Sequence, residues 1–344
     1  MATIGNSFPT LIDMYKGSAE GTVVELLKQQ NPILDDAIAT QCNMDAVHRH
    51  MIRTGLPSVS WGRLYQGVAQ SKSTLQQVDD TTGFLEARSE IDTRLLKLAP
   101  DPAKARLVDS APFLEAMSQE MATGLFYHDT ATTPEKFKGL AARYAAYNSG
   151  LADPRFPKIG DQVIHGGGAG NDNTSIWFVT WGDHATSLLY PKGMKAGVTI
   201  SDKGEEAVKD GQGRTYYAKV TMFEHHLGLF VKDWRYNSRI ANIDVSEMLA
   251  GTVDVWALLR KAYYRLQSRR RDGQSSRIAI YMNRDVLEVL DAQSTDRALT
   301  NARENTTKLG HAEVEGKEVK TYRGIPIRET DALLNTEALV PVAA

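Results

Sequence analysis

Apolar and polar residues are distributed unevenly between residues 56 and 98 of this chain. Both ends of the stretch carry apolar residues that favour strands, whereas the middle, from Ala69 to Gly83, is almost entirely polar. Because a polar stretch of this length buries little surface, we predict that it leaves the compact part of the chain as a long hairpin or loop. It is then either a surface excursion without a partner or an arm that grips a neighbouring subunit. The strand-like residues are Val59, Trp61, Leu64 and Tyr65 at one end and Ile91, Leu95 and Leu96 at the other.

The clearest helical periodicity follows this stretch. Asp101 followed by Pro102 is a favourable helix start, because the carboxylate caps free N–H groups and proline lacks one. Residues 109–112 predict a second start. From there apolar residues recur every three or four positions up to Tyr127, which predicts an amphipathic helix whose methionines belong to the core.

Other helices are predicted at both ends of the chain. Residues 8–41 favour one or two short helices, interrupted at Pro32, on a detached arm with too few apolar residues for a core of its own. The spacing of apolar residues over 248–267 predicts one long helix that ends in a basic turn, as the helix dipole favours. A short helix around residues 286–290 is predicted after it.

Runs of β-branched and aromatic residues predict the strands. Residues 176–181 and 187–190 are bounded by glycine and proline, and we expect them to be neighbouring buried strands. Together the elements predict an α+β fold. The remaining predicted strands are 238–243, 277–282, a hairpin of 215–224 with 228–234, and a pair within 318–328 that turns at Gly324.

Charge and composition exclude several classes of protein. The 344 residues include 40 Lys and Arg against 42 Asp and Glu, a net charge of -2, which argues against a main affinity for nucleic-acid phosphates. The single cysteine, Cys42, excludes an internal disulfide and is expected to be a buried thiol. No apolar run reaches the roughly 18 to 20 residues that span a bilayer, and the start lacks a signal-peptide pattern, so we expect a soluble protein made inside the cell.

Motifs of known catalytic or metal-binding chemistry are not found in the sequence, so we predict no catalytic residue, cofactor or metal site. The glycine-rich run 166–170 lacks the Lys-Ser/Thr of a phosphate loop and is interpreted as a flexible linker. His48 and His50, and likewise His225 and His226, have spacings that place no two ligands on one helical face; surface or turn positions are favoured for them.

A basic cluster lies at residues 269–271. Arg269, Arg270 and Arg271 close the predicted long helix and could face DNA phosphates or an acidic neighbour, although three charges contribute only modest affinity. A solvated helix end is the favoured interpretation.

Several segments resemble the major capsid proteins of short-tailed bacteriophages of the epsilon fifteen type, which have the Hong Kong 97-type capsid fold. These segments are strand and turn signatures, so the resemblance indicates a family and not a reaction. It covers most of the chain and is most specific between about residues 176 and 328. The segments are Ile176-Trp-Phe-Val-Thr-Trp-Gly-Asp-His184, Leu188-Leu-Tyr-Pro-Lys-Gly193, Val231-Lys-Asp-Trp-Arg-Tyr236, Arg239-Ile-Ala-Asn-Ile-Asp244 and Tyr322-Arg-Gly-Ile-Pro-Ile-Arg328.

The resemblance implies a domain organisation. Residues 1–50 would form an N-terminal arm, 51–100 an extended β-hairpin loop, and 101–150 the long spine helix with the start of a peripheral domain. Residues 151–317 would form mainly an axial domain with some strands of the peripheral domain. Residues 318–344 would supply the closing peripheral strands and the C-terminus.

The resemblance also implies a function: a structural coat protein that self-assembles through hexamers and pentamers into the icosahedral head shell around double-stranded DNA, without sequence-specific binding. Scaffold, portal and cement or decoration proteins are the expected partners, no membrane is expected, and the location is the virion, after synthesis in the cytoplasm of a host bacterium. A ring-forming or decoration component of the virion, or an α+β hydrolase, remain alternatives. The candidate inter-subunit contacts are Trp61, Leu64, Tyr65, Phe84, Leu85, Glu86 and Arg88.

Overall fold

The computed structural model describes residues 29–148, 158–268, 277–300, 309–314 and 317–343. It has helices and strands mixed along the chain, as predicted. Residues 8–28 of the predicted arm lie outside this description. The helices are α1 (Ile33–Asp36), α2 (Thr93–Leu98), α3 (Pro102–Tyr127), α4 (Leu140–Arg143), α5 (Val245–Leu249), α6 (Val255–Arg265) and α7 (Arg284–Thr300). The strands are β1 (Ala39–Gln41), β2 (Val47–Gly55), β3 (Thr74–Asp92), β4 (Val163–His165), β5 (Asn173–Trp181), β6 (Thr186–Tyr190), β7 (Val198–Lys209), β8 (Thr215–Val231), β9 (Ser238–Asp244), β10 (Arg277–Met282), β11 (Gly310–Val314), β12 (Lys317–Tyr322) and β13 (Ile325–Glu329).

The described strands form one hydrogen-bonded network in the order β11-β12-β13-β10-β5-β6-β8-β3-β2. Strands β1 and β7 add to β6 and β8, and β9 joins β4 to β5. Every residue of β5 is buried. Its side chains alternate between two cores, because successive residues of a strand point to opposite faces: Trp177 packs with Phe126 of α3, and Phe178 packs with Leu259 of α6.

The predicted projecting segment is a long hairpin. Strand β2 pairs with the first part of β3, from Gly55 opposite Thr74 to Val47 opposite Thr81, and the rest of β3 pairs with β8. The 19 residues of β3 span on the order of 60 Å at the usual rise of a strand. Of the strand-like residues predicted at the two ends, Ile91 does lie in β3. The others were predicted wrongly: residues 56–73 form an irregular tip, and Leu95 and Leu96 belong to α2.

Helix α3 is continuous from Pro102 to Tyr127 and ends where the sequence predicted. The Asp101 carboxylate accepts hydrogen bonds from the backbone N–H groups of the first turn at 3.0 and 3.2 Å. The second start predicted at residues 109–112 was wrong, since Pro112 lies inside the helix. An interior proline removes one backbone hydrogen bond, and burial of Leu125 and its apolar neighbours offsets that loss.

Strand β8 runs without interruption through Gly228, whereas the sequence predicted a hairpin of two strands, 215–224 and 228–234, with the turn between them. A Cβ atom at this glycine would lie 2.9 Å from the backbone oxygen of Thr81 on the neighbouring strand. The glycine therefore permits a close approach of two strands and makes no turn.

The long helix predicted over 248–267 is divided into α5 and α6. Gly251, with a φ of 80°, lies between them, and the Asp254 carboxylate caps the start of α6. Helix α7 is longer than predicted, because it continues to Thr300. The predicted strands at 176–181, 187–190, 238–243 and 277–282, and the turn at Gly324, were confirmed.

Helix α1 packs on its own subunit, in contrast to the detached arm that the sequence predicted. Ile33 is fully buried, and the buried Asp36 accepts hydrogen bonds from Arg328 at 2.8 Å and from the Tyr281 hydroxyl at 2.9 Å. Strand β1 then pairs in parallel with β6. Residues 33–41 are thus fixed to the main sheet.

Candidate assembly surface

The tip of the hairpin, residues 56–73, exposes a group of large apolar side chains. Trp61 is 100% exposed and Leu64 is 91% exposed, and Tyr65 is also fully exposed, with a φ of 66°. A hydrogen bond of 2.8 Å from the Ser71 hydroxyl to the Ser58 backbone oxygen holds the base of the tip together. Groups of exposed large apolar side chains are typical of interaction surfaces.

The other four predicted contacts lie on β3, apart from the tip. Phe84 is 62% exposed, whereas Leu85 packs partly against the core of its own subunit. Glu86 is exposed, and Arg88 contacts Glu90 at 2.7 Å and Glu206 at 3.2 Å within the chain. The structure brings Trp61, Leu64 and Tyr65 together and separates them from these four. Arg269, Arg270 and Arg271 lie outside the described residues.

The root of the hairpin contains buried titratable groups. His48 and His50 flank the Phe230 ring, with ring centroids 4.4 and 4.9 Å from it. Burial lowers the pKa of His50, and the Asp80 carboxylate partly opposes that effect. Asp80 is itself buried and accepts a hydrogen bond of 2.7 Å from Arg143. The root is therefore held by packing and one buried ion pair.

The prediction of surface or turn histidines was wrong for two of the four. His50 and His225 are buried within strands β2 and β8, and burial lowers the pKa of both. The spacing of two between His48 and His50 places them on one face of a strand, a signal that could have located them. Cys42 is buried as predicted, and burial raises the pKa of its thiol.

The described residues contain neither a metal-binding cluster nor a membrane-spanning helix. Among those residues, no group of three or more histidine, cysteine or acidic side chains is arranged to hold a metal ion. None of the described helices has the length and apolar character needed to cross a membrane.

Sequence analysis did not find a cavity of about 190 Å³ beside the root of the hairpin. Its apolar walls come from β3, α3, β8 and the loop after α3: Phe84 and Leu85, Met121, Leu227 and Phe137. Glu120, Glu135 and Lys136 also line it. These residues come from segments far apart in the chain, so no local pattern indicates that they meet.

The structure is similar to that of the epsilon15 bacteriophage at a TM-score of 0.69, with 30% sequence identity over 99% of both chains. It also matches the capsid of bacteriophage JBD30, at a TM-score of 0.47 and 10% identity, over 95% of this chain and 99% of that one. No curated protein matches the chain.

The fold is the Hong Kong 97-type capsid fold, as the sequence resemblance implied. The family model described as Major capsid protein GP7 matches residues 16–341, nearly the whole chain. Together with the 30% identity to the epsilon15 structure over its full length, this match shows that the chain belongs to the Major capsid protein GP7 family.

Proposed function

We propose that this coat protein closes the head shell of a tailed phage by gripping neighbouring copies with residues 56–73 at the tip of its hairpin. Membership in the family makes the chain a coat protein of the head shell and implies a structural role. The observation that carries the finer proposal is the full exposure of Trp61 and Tyr65 at the end of a two-stranded hairpin.

The energetic argument starts from those two side chains. An aromatic ring buries about 150–250 Å², and burial contributes about 25 cal/mol per Å², so each ring would stabilise a contact by at most about 4–6 kcal/mol. An isolated subunit leaves this surface in water, while a neighbouring copy removes it from water. Residues 56–73 therefore favour assembly, and Glu86 and Arg88 on β3 would affect the choice of partner more than the affinity.

The assembly that we propose consists of hexamers and pentamers of this chain around double-stranded DNA, which the shell encloses without reading its sequence. Scaffold, portal and cement or decoration proteins complete the particle, and synthesis takes place in the host cytoplasm. Arg269, Arg270 and Arg271 are candidates for contact with the genome or an acidic neighbour. We also infer that the chain catalyses no reaction.

We propose the following domain assignment. Residues 1–50 form the arm and 51–100 the extended loop, while α3 and the closing strands 318–344 belong to the peripheral domain. Residues 151–317 are mainly the axial domain around the local symmetry axes. The two-sided burial of β5 supports a central position for this strand in the subunit.

A triple substitution tests whether the tip binds neighbouring copies of the chain. We expect Trp61→Ser, Leu64→Ser and Tyr65→Ser together to give soluble, folded subunits that form no closed shells, in electron micrographs and by sedimentation velocity. The matched control is Leu98→Ser with Leu107→Ser, which removes two exposed apolar residues outside the tip, 80% and 72% exposed. Normal shells from the triple variant would refute the proposal, because the tip would then contribute nothing to assembly.

A further inference from the structure

The cavity beside the hairpin root has an apolar interior and acidic side chains in its lining. Phe84, 62% exposed, lines it together with Met121 and Phe137. Glu120 is engaged by Lys136 at 2.8 Å, whereas Glu135 forms no ion pair with any residue that the structure describes. A ligand for this cavity should combine an apolar group with a neighbouring cation.

A second acidic feature follows directly along β3. Glu86 lies opposite Glu224 in the register of β3 and β8, one step along the same face from Phe84 opposite His226. Like charges at directly opposed positions destabilise a sheet. Arg88, the next residue on this face, is already engaged by Glu90 and Glu206. The acidic pair is therefore not neutralised by the nearest cation of its own strand.

The hairpin tip has the complementary chemistry. Residues 56–73 contain Arg63 and Lys72 but no acidic residue. Trp61, fully exposed, lies two positions from Arg63, so the same short segment of the tip carries an indole ring and a guanidinium group. Opposite charges on two such surfaces favour correct pairing and disfavour other partners.

The tip cannot reach the cavity of its own subunit. Ten residues of the single strand β3 separate Thr74, at the tip, from Phe84, at the cavity. At the rise of an extended strand this separation is about 33 Å. A second copy of the chain, in contrast, presents the same tip from outside, and a surface that fits a different surface of the same chain builds a repeating assembly.

We infer that the cavity lined by Phe84, Met121 and Phe137 receives the tip of a neighbouring copy, with Trp61 inserted and Arg63 facing Glu135 and the Glu86–Glu224 pair. This inference rests on the proposed function of the tip and adds the surface to which the tip binds. Each subunit then contributes one tip and one cavity, so contacts continue from copy to copy around a capsomer.

Disulfide trapping in the full-length chain tests the site. We expect Gly62→Cys with Pro134→Cys, which leave Trp61, Arg63, Phe84 and Glu135 in place, to give a ladder of covalently linked subunits on a non-reducing gel of assembled shells. A Cβ at Gly62 would meet no atom within 4 Å, and Cys42 is only 3% exposed and gives little background. Each single variant, and Gly62→Cys with Leu98→Cys, should give no ladder. Shells that form without a ladder in the Gly62/Pro134 variant would overturn the binding site, and the trapping of Gly62→Cys to another protein would assign the tip a different partner.

Charge exchange gives an independent test that requires no new cysteine. Arg63→Glu or Glu135→Arg alone should lower the yield of shells at least about tenfold, and the double variant should recover it. No recovery in the double variant would overturn the pairing. Failure of the site is distinguishable from failure of the proposed function: if the triple serine variant of the tip still assembles, the grip itself is wrong, whereas if it fails to assemble and no ladder forms, the tip binds elsewhere.

Discussion

Replacement of Arg239 by Met should destabilise the subunit strongly, because this arginine holds the C-terminal segment to the core. Its guanidinium lies 2.9 Å from the Glu337 carboxylate, and both side chains are 4% exposed. It also donates to the Tyr144 backbone oxygen at 3.0 Å and lies 4.9 Å from the centre of the Trp177 ring. The Tyr127 hydroxyl donates to the same carboxylate at 2.5 Å.

The magnitude follows from burial. Removing one partner of a buried pair leaves the other charge without compensation in a medium of low dielectric constant, which costs about 3–5 kcal/mol. The Tyr127 and Ser175 hydroxyls still donate to Glu337, so we expect a value near the lower end, about 3 kcal/mol. Replacing Glu337 by Leu as well should recover most of the loss, because no buried charge then remains.

Urea unfolding of the unassembled subunit, followed by tryptophan fluorescence, to which the buried Trp177 and Trp181 contribute, measures this cost. The control is Arg49→Met, which breaks an ion pair of similar length, 2.8 Å to Asp79, at side chains that are 44% and 37% exposed. We expect the control to lose far less stability than Arg239→Met, because water screens an exposed ion pair. If Arg239→Met costs no more than Arg49→Met, burial does not determine the strength of the pair and the reasoning is refuted.

Three further predictions concern His50 at the root of the hairpin, the close packing of Gly139 against α3, and Asp36, which holds α1 to the main sheet. Because burial lowers the pKa of His50 below its ordinary 6.5, the unfolded chain binds more protons than the folded chain as the pH decreases. The stability of the subunit should therefore fall as the pH decreases through 6.5. The urea midpoint of His50→Phe should decrease less over the same pH range. At Gly139 a Cβ would lie 2.7 Å from a backbone oxygen of α3, so Gly139→Val should cost about 1–3 kcal/mol in urea unfolding, while Gly67→Val, with open space around it, should cost almost nothing. Asp36→Ala should remove about 3 kcal/mol and increase amide hydrogen exchange in α1, whereas Asp35→Ala, at an exposed position, should leave exchange unchanged; equal exchange in both would contradict the anchor.

Elements with a strong local pattern were predictable from the sequence. The apolar and aromatic run at 176–181 is β5 because its side chains are buried on both faces, and Tyr127 ends α3 as the periodicity predicted. Residues 74–83 were not recognised as a strand, because their polar side chains give no signal of burial. Backbone pairing with β2 holds residues 74–81 extended, residues 82 and 83 pair with β8, and no local pattern in the sequence indicates these partners.

Two glycines show why residue type alone did not predict the local backbone conformation. Gly228 was expected to begin the second strand of a hairpin, yet it lies inside the continuous strand β8, against the backbone of β3. Gly251 was expected inside a helix, yet its positive φ separates α5 from α6. Residue type alone does not distinguish a close approach from a turn.

The candidate surface was partly accessible to sequence reasoning. Trp61, Leu64 and Tyr65 were named from their position beside a polar stretch, and the structure exposes all three; their contact with a neighbour remains a proposal. Phe84 and Leu85 of the cavity were also named, but Glu135 and the walls from other segments were not, since four separate segments build the cavity.

The single strand β3 also determines how force passes through the subunit. Its first part pairs with β2 in the projecting hairpin, and its second part pairs with β8, from Thr82 opposite Gly228 to Asp92 opposite Ala218. A force on the hairpin along the strand axis therefore loads all hydrogen bonds between β3 and β8 at once, in shear, instead of breaking them one after another. Because the continuous backbone of β3 joins the hairpin to the sheet, displacement of the hairpin must rotate or shear that sheet.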